Sequence, residues 1–253
     1  MSAALRLRAL RGLPLVRPGD DLAGALLDAA RRDGLAFSGG VLVVCQKVVS
    51  KQEGRVVALV DVAPSEEARR IAAEDGKDPR HVEVILRETA RVVRRGHGVL
   101  ITETRHGFVC ANAGVDLSNA PADGMAVLLP LDPDASARRL RTELLARGGA
   151  EPLAVVVSDT FGRAWREGLV DVAIGCAGLR PLADLRGSAD LSGRELTVTV
   201  TATADQLAAA AGLLMAKAAG VPAVWIDGVE GVVAFGDGDT RALLRDAGLD
   251  LFR

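Results

Sequence analysis

The sequence predicts an α+β fold of mixed and antiparallel sheets with flanking helices. Helical apolar periodicity alternates with short β-branched runs along the whole chain. Strand-like runs over 99–112 and 169–203 follow one another without an intervening helix, which argues against a purely doubly wound sheet. The 253 residues are 49% hydrophobic, ample for a core, and no repeat or low-complexity linker divides them. One domain over 1–253 is expected, with room for two subdomains.

The elements follow in order. Asp20 is placed as the N-cap of a helix to about Arg32, with Leu22, Leu26, Leu27 and Ala30 as its apolar stripe. Val41–Val44 reads as a buried strand that continues through Cys45-Gln46-Lys47-Val48-Val49-Ser50-Lys51 toward Gly54. Ser65 caps the next helix, which carries Glu66 and Glu67 in its first turn, where the helix dipole favours acids. Asp78-Pro79 starts another, to about Arg95. Arg105-His106-Gly107 joins Val99–Thr104 and Phe108–Asn112 in a hairpin. A helix over 135–147 is followed by strands over Leu153–Ser158, Leu169–Gly175 and Glu195–Thr203. Asp205 is placed as the cap of an alanine-rich helix to about Ala218, Pro222–Ile226 as a buried strand, and Asp239 at the start of a terminal helix.

Composition excludes several classes. Thirty-one basic residues face 33 acidic ones, for a net charge of −2, and aromatics make up 3%. Nucleic acid therefore finds neither a basic excess nor a stacking platform. The longest strongly apolar run, Leu207–Ala216, is far short of the ~20 residues a membrane helix needs. The N-terminus carries no apolar segment followed by a small-residue cleavage site. Cys45, Cys110 and Cys176 are scattered and odd in number, so buried thiols in a reducing, cytoplasmic setting are expected rather than a disulfide framework or zinc site.

There is no P-loop, no G-x-G-x-x-G, no H-E-x-x-H, no C-x-x-C and no G-x-S-x-G. His81, His97 and His106 have no metal-ligand spacing, and the first two are expected to be solvated at a helix and its C-terminal turn. Two segments that follow strands each carry an aspartate among small polar groups: Asn112-Ala113-Gly114-Val115-Asp116-Leu117-Ser118-Asn119 and Ser158-Asp159-Thr160-Phe161-Gly162-Arg163. Two carboxylates and a hydroxyl are hard oxygen donors suited to Mg²⁺ or Mn²⁺. The alternative is that both aspartates are Asx-turn or cap residues. Only four lysines occur: Lys47, Lys51, Lys77 and Lys217. Lys47 and Lys51 share one face of an extended run, where ammonium groups act on phosphate as point charges. A solvated strand face is the plain alternative, and Lys77 is left as an ordinary surface charge.

Taken together, the motifs are more specific than any one alone. Gly12-Leu13-Pro14-Leu15 and Pro18-Gly19-Asp20-Asp21-Leu22 come first, then Lys51-x-Glu53-Gly54-Arg55 and Asn112-Ala113-Gly114-Val115-Asp116-x-Ser118-Asn119. Leu128-Leu129-Pro130-Leu131-Asp132-Pro133-Asp134, Ser158-Asp159-Thr160-x-Gly162-Arg163, Gly193-Arg194-Glu195-Leu196 and Ala204-Asp205 follow. This ordered set, over roughly residues 10–226, resembles the coenzyme F420:L-glutamate ligase family, the γ-glutamyl ligases of deazaflavin coenzyme biosynthesis.

The resemblance implies a family-specific fold and GTP-dependent amide formation through an acyl phosphate, with L-glutamate and the deazaflavin precursor as substrates. It implies a homodimer and one or two Mg²⁺ or Mn²⁺ ions, with K⁺ a further candidate. By matching position, Leu13, Pro14, Leu15, Val16, Gln46, Lys47, Lys51 and Asn119 belong to the GTP site. Met215, Ala216, Lys217, Ala218, Ala219, Gly220 and Val221 close over the nucleotide. Asp116 and Asp159 hold one divalent metal, Thr160 helps hold a second, and Asp116, Asp159 and Lys51 carry the chemistry. Lys217 departs from the family pattern, standing where an acid serves a second metal. Arg163, Arg166 and Arg194 are candidate carboxylate clamps. The fused reductase-like domain of some bacterial relatives is not expected. A ligase of the same mechanism on another acid, and a nucleotide-binding regulator without turnover, are the alternatives.

Overall fold

The computed structural model describes residues 4–250. Its strands are β1 (Arg6–Leu10), β2 (Ser38–Cys45), β3 (Val56–Ala58), β4 (Thr89–Gly96), β5 (Val99–Thr104), β6 (Val109–Ala111), β7 (Met125–Val127), β8 (Ala150–Arg163), β9 (Arg166–Ala177), β10 (Ala183–Asp184), β11 (Val200–Thr201) and β12 (Ala223–Asp227). Its helices are α1 (Leu22–Arg32), α2 (Gln46–Gln52), α3 (Glu66–Asp75), α4 (Pro79–Glu88), α5 (Pro133–Ala146) and α6 (Thr203–Met215). The architecture is α+β, as the residues predict.

The main sheet has the order β1-β12-β2-β8-β9, and only β2 and β8 run parallel. Alternation along β2 divides the core. Leu42 and Val44 face α1 and α5, together with Val155, Val157 and Trp225. Val41 and Val43 face α6, together with Ala154, Val156 and Ile226. Both faces are therefore covered, which explains why these strands read as unbroken apolar runs. Between α2 and α5 lies a smaller lobe, where α3 and α4 pack on β5 and β7 around Ile71, Val82, Ile85, Leu100 and Ala126. Strands β4, β5 and β6 form its antiparallel sheet.

Several boundaries differ from the expectations. Asp21, not Asp20, caps α1 by accepting from Gly24 N at 3.0 Å, while Asp20 accepts from Arg17 N. The run after Cys45 is helical, not extended. Its neighbour β12 begins only at Ala223, opposite Val44, and the pairing of β2 with β8 ends at Cys45–Ser158; from Gln46 the backbone bonds within itself as α2. Helix α4 stops at Glu88, because the β-branched stretch after Thr89 pairs with β5. His97 therefore lies in the β4–β5 turn, and His81 is half-buried rather than solvated. Of 195–203 only Val200–Thr201 forms a strand, β11, against β10; Glu195 makes an isolated bridge to Ala189, and Thr203 already begins α6. Asp205 sits inside the first turn of α6 and accepts from Ala173 N at 2.9 Å. Asp239 caps a short 3₁₀ turn over Thr240–Leu243 instead of a longer helix.

The thiols of Cys110 and Cys176 are buried and that of Cys45 is half-buried; burial pushes the first two up to about 12 and Cys45 to about 11. Among the described residues no helix is long and apolar enough to cross a membrane.

One buried carboxylate fastens the C-terminal segment. Asp134 accepts from Cys176 N at 2.8 Å and from the Thr240 hydroxyl at 2.9 Å, and Thr240 N also points at it. Thr240→Val removes a buried donor and should cost about 1–3 kcal/mol. Thermal unfolding should show Tm lowered by roughly 2–4 °C per kcal/mol for a chain of this size. An unchanged Tm would mean that Asp134 does not hold this segment.

Candidate active site

The parallel pair β2 and β8 ends in register, Cys45 opposite Ser158. Crevices outside the carboxyl ends of parallel strands are where α/β sheets bind ligands. Four segments meet beyond this edge. The first is α2, whose Lys47 and Lys51 lie one turn apart on the same side. The second is Asp159-Thr160 of β8. The third is the 112–119 loop of the smaller lobe, and the fourth is the chain leaving α6.

The 112–119 loop is bent by three successive left-handed residues, Asn112, Ala113 and Gly114. Glycine is needed at 114, since a Cβ there would stand 2.7 Å from Leu129 Cγ. The turn is held by Thr102 Oγ1, which accepts from Ala113 N, and by Lys77 Nζ, which donates to Asn112 Oδ1 at 3.3 Å. Lys77 is thus not a plain surface charge but a brace behind the loop.

Asp116 is an Asx-turn residue and an ion-pair partner at once. Its carboxylate accepts from Ser118 N at 2.7 Å and Ser118 Oγ at 3.0 Å, and it pairs with Lys47 Nζ at 2.7 Å. Lys47 also donates to Ser118 Oγ. Burial works to raise the Asp116 carboxyl, but the Lys47 and Ser118 hydrogen bonds outweigh it and hold it below the usual range. The Lys47 side chain is only 13% exposed.

Asp159 is half-buried, and burial pushes its carboxyl up to about 7. Lys47 opposes that rise, while Asp116 and Asp171 add to it. Thr160 donates its hydroxyl to Asp171 Oδ1 at 2.5 Å. Lys51 is half-buried and makes no ion pair among the described residues; burial, then the Lys47 ammonium, lowers its pKa. Two clustered ammonium groups, one without a counter-ion, form a receptor for an anion.

The remaining expected residues lie as follows. Asn119 Nδ2 donates to Lys217 O at 3.3 Å, which joins the 112–119 loop to the chain after α6. Met215 lies 4.0 Å from Ser158 Oγ through its sulfur. Ala216, Lys217, Ala218, Ala219 and Gly220 are exposed, and Val221 is buried. The Gln46 side chain is wholly buried and accepts from Ser50 Oγ, so only its backbone borders the site. Val16 is buried and Leu13 packs on the core, while Leu15 is 88% exposed. This loop is tied to the end of α2 by Gly19 N donating to Gln52 O. Arg163 and Arg166 flank the exposed tip of the β8–β9 hairpin, and Arg194 lies in the 185–199 loop, so none converges on Asp159.

Sequence reasoning missed Asp171 and the brace from Lys77. A lone acid inside the apolar strand run Leu169-Val170-Asp171-Val172-Ala173-Ile174 was the available signal for the first. Among the described residues no three His, Cys, Asp or Glu side chains converge into a metal centre. The donor set of Asp116, Asp159 and Thr160 fits a cation that takes one or two carboxylates and completes its shell with waters and substrate phosphate, the habit of Mg²⁺.

The raised Asp159 carboxyl has a defined sign. The fold keeps the proton up to about pH 7, whereas the unfolded chain releases it near 4. Between those limits the folded state binds more protons, so this group's contribution lowers stability as pH rises. Asp159→Asn should remove that part of the slope and be more stable than the parent at pH 8 in chelator-treated protein, by denaturant titration at pH 5 and 8. Equal slopes would show that Asp159 ionises freely.

The F420-0:gamma-glutamyl ligase family matches residues 12–228. Over 246 residues the chain is 48% identical to the coenzyme F420:L-glutamate ligase of Methanothermobacter thermautotrophicus, covering 96% of this chain and 97% of that one. It is 48% identical to the enzyme of the same name from Methanopyrus kandleri, over 94% and 93% of the two chains. The corresponding Archaeoglobus fulgidus protein is 41% identical over 96% and 94%. The chain belongs to the F420-0:gamma-glutamyl ligase family.

Proposed function

We propose that this protein joins L-glutamate to the coenzyme F420-0 precursor through an amide bond, in a reaction driven by GTP. One observation carries the reading. Lys47 of α2 pairs with Asp116 of the smaller lobe and lies within electrostatic reach of Asp159 of β8, beside a second ammonium, Lys51, that makes no ion pair among the described residues.

Lys47 and Lys51 bind the triphosphate, with Asn119 and the 215–221 segment covering the nucleotide. Asp116, Asp159 and Thr160 hold Mg²⁺ or Mn²⁺, with K⁺ a further candidate. When bound, the metal neutralises phosphate charge as it redistributes. The precursor carboxylate attacks the γ-phosphorus, forming an acyl phosphate as GDP leaves. The neutral amine of glutamate attacks the acyl carbon, phosphate departs, and the nitrogen loses a proton as the amide forms. Lys47 and Lys51 stay aimed at the phosphates throughout, and preorganised charge of this kind is commonly the largest catalytic contribution. The exposed apolar side chains Leu169, Leu191 and Val198 support a homodimer, which light scattering of the purified chain would test.

Incubation with GTP, Mg²⁺, L-glutamate and the precursor should give a glutamate adduct by mass spectrometry, with GDP and phosphate in equal amounts. GDP release only with a different acid would move the substrate, and no turnover with any acid would overturn the reading. Asp159→Asn should lower turnover by roughly 10²–10³, with the fold intact by circular dichroism. Near-normal activity of that variant would remove Asp159 from the chemistry.

A further inference from the structure

Asp171 lies on β9 directly opposite Thr160 of β8, and its Oδ1 accepts the Thr160 hydroxyl at 2.5 Å. Its other oxygen, Oδ2, is pressed against α6 at Gly212, where a Cβ would stand 1.9 Å away. Only a hydrogen fits at that point of the helix, although alanine would be the better helix former. Two elements are thus shaped around one carboxylate.

That carboxylate is half-buried and has no ion pair among the described residues. Its charge reaches Asp159 and Cys45, so it adds negative charge to a place that already holds two acids. Folding gains little from this, because a neutral amide could accept the same hydrogen bond. Arrangements that break a local rule without a structural return mark functional positions. The geometry supplies the function. A hydroxyl can offer its lone pairs to a cation only when its single proton points away, and Asp171 takes that proton.

We propose that Asp171 is a positioning residue: it fixes the Thr160 hydroxyl with its lone pairs free for a divalent cation beside Asp159, and Gly212 is glycine so that Asp171 can stand there. The inference rests on the cation reading given under Proposed function. Partners that orient ligands commonly change metal affinity by about 10–100-fold.

The test is Mn²⁺ binding to the full chain, followed by loss of the free-ion electron paramagnetic resonance signal in the presence of a non-hydrolysable GTP analogue. Asp171→Ala and Thr160→Val should each weaken Mn²⁺ by about 10–100-fold. The double variant should bind no worse than the weaker single, because both act through one oxygen. Asp171→Asn keeps an acceptor and should recover part of the loss. Gly212→Ala should push Asp171 aside and weaken Mn²⁺, with circular dichroism and Tm measured alongside each variant to separate a binding loss from a folding defect. Parent-like Mn²⁺ affinity in Asp171→Ala, or fully additive losses in the double variant, would overturn the proposal. A parent chain that binds no Mn²⁺ would instead fail the cation reading itself and take this inference with it.

Discussion

Lys47 Nζ reaches from the first turn of α2, on the main sheet, to Asp116 on the smaller lobe, at 2.7 Å and largely out of solvent. The two bodies meet at a place where Asp116, Asp159 and Asp171 gather negative charge. Unpaired acids so close would repel and take up protons. Burial raises the Asp159 carboxyl most, and Asp116 and Asp171 add to that rise against the pull of Lys47. The rest of the site depends on this one ammonium. It fixes how near the 112–119 loop comes to β8, and through Asn119 how the chain after α6 is placed.

The same interaction defines what a nucleotide and a metal must do. On the proposed function, a divalent ion that took the Asp116 Oδ2 would compete with Lys47 for it, and a phosphate would be the anion to which Lys47 could move. Metal and nucleotide binding would then be coupled through one side chain, each favouring the other. The near-zero net charge of the chain leaves no general attraction for GTP or glutamate. On the proposed function, the local placement of Lys47 and Lys51 would supply it.

Much of this was legible in the residues. Ser65, Asp78-Pro79 and the β-branched run of β2 announced their elements through caps and composition, and the hairpin around Arg105–Gly107 through its flanking strands. Lys47 and Lys51 share a face even though their segment is helical rather than extended, since a spacing of four is in phase with both periods. What failed depended on partners distant in the chain. Nothing local says that β12 begins opposite Val44 and leaves Gln46 onward unpaired, or that β5 waits to pair with 89–96. The role of Asp171 was hidden because it arises across a strand pair and against a helix 41 residues later, at Gly212.

On the proposed function, Lys47 should give up Asp116 when nucleotide and metal arrive at the β2–β8 edge. Crystals grown with GDP and Mn²⁺, measured at the manganese absorption edge, test it directly. The expected result is an anomalous peak shared by the carboxylates of Asp116 and Asp159, with Lys47 Nζ turned from Asp116 to a phosphate oxygen. A peak elsewhere, or a bound nucleotide with the Lys47–Asp116 pair intact, would contradict it.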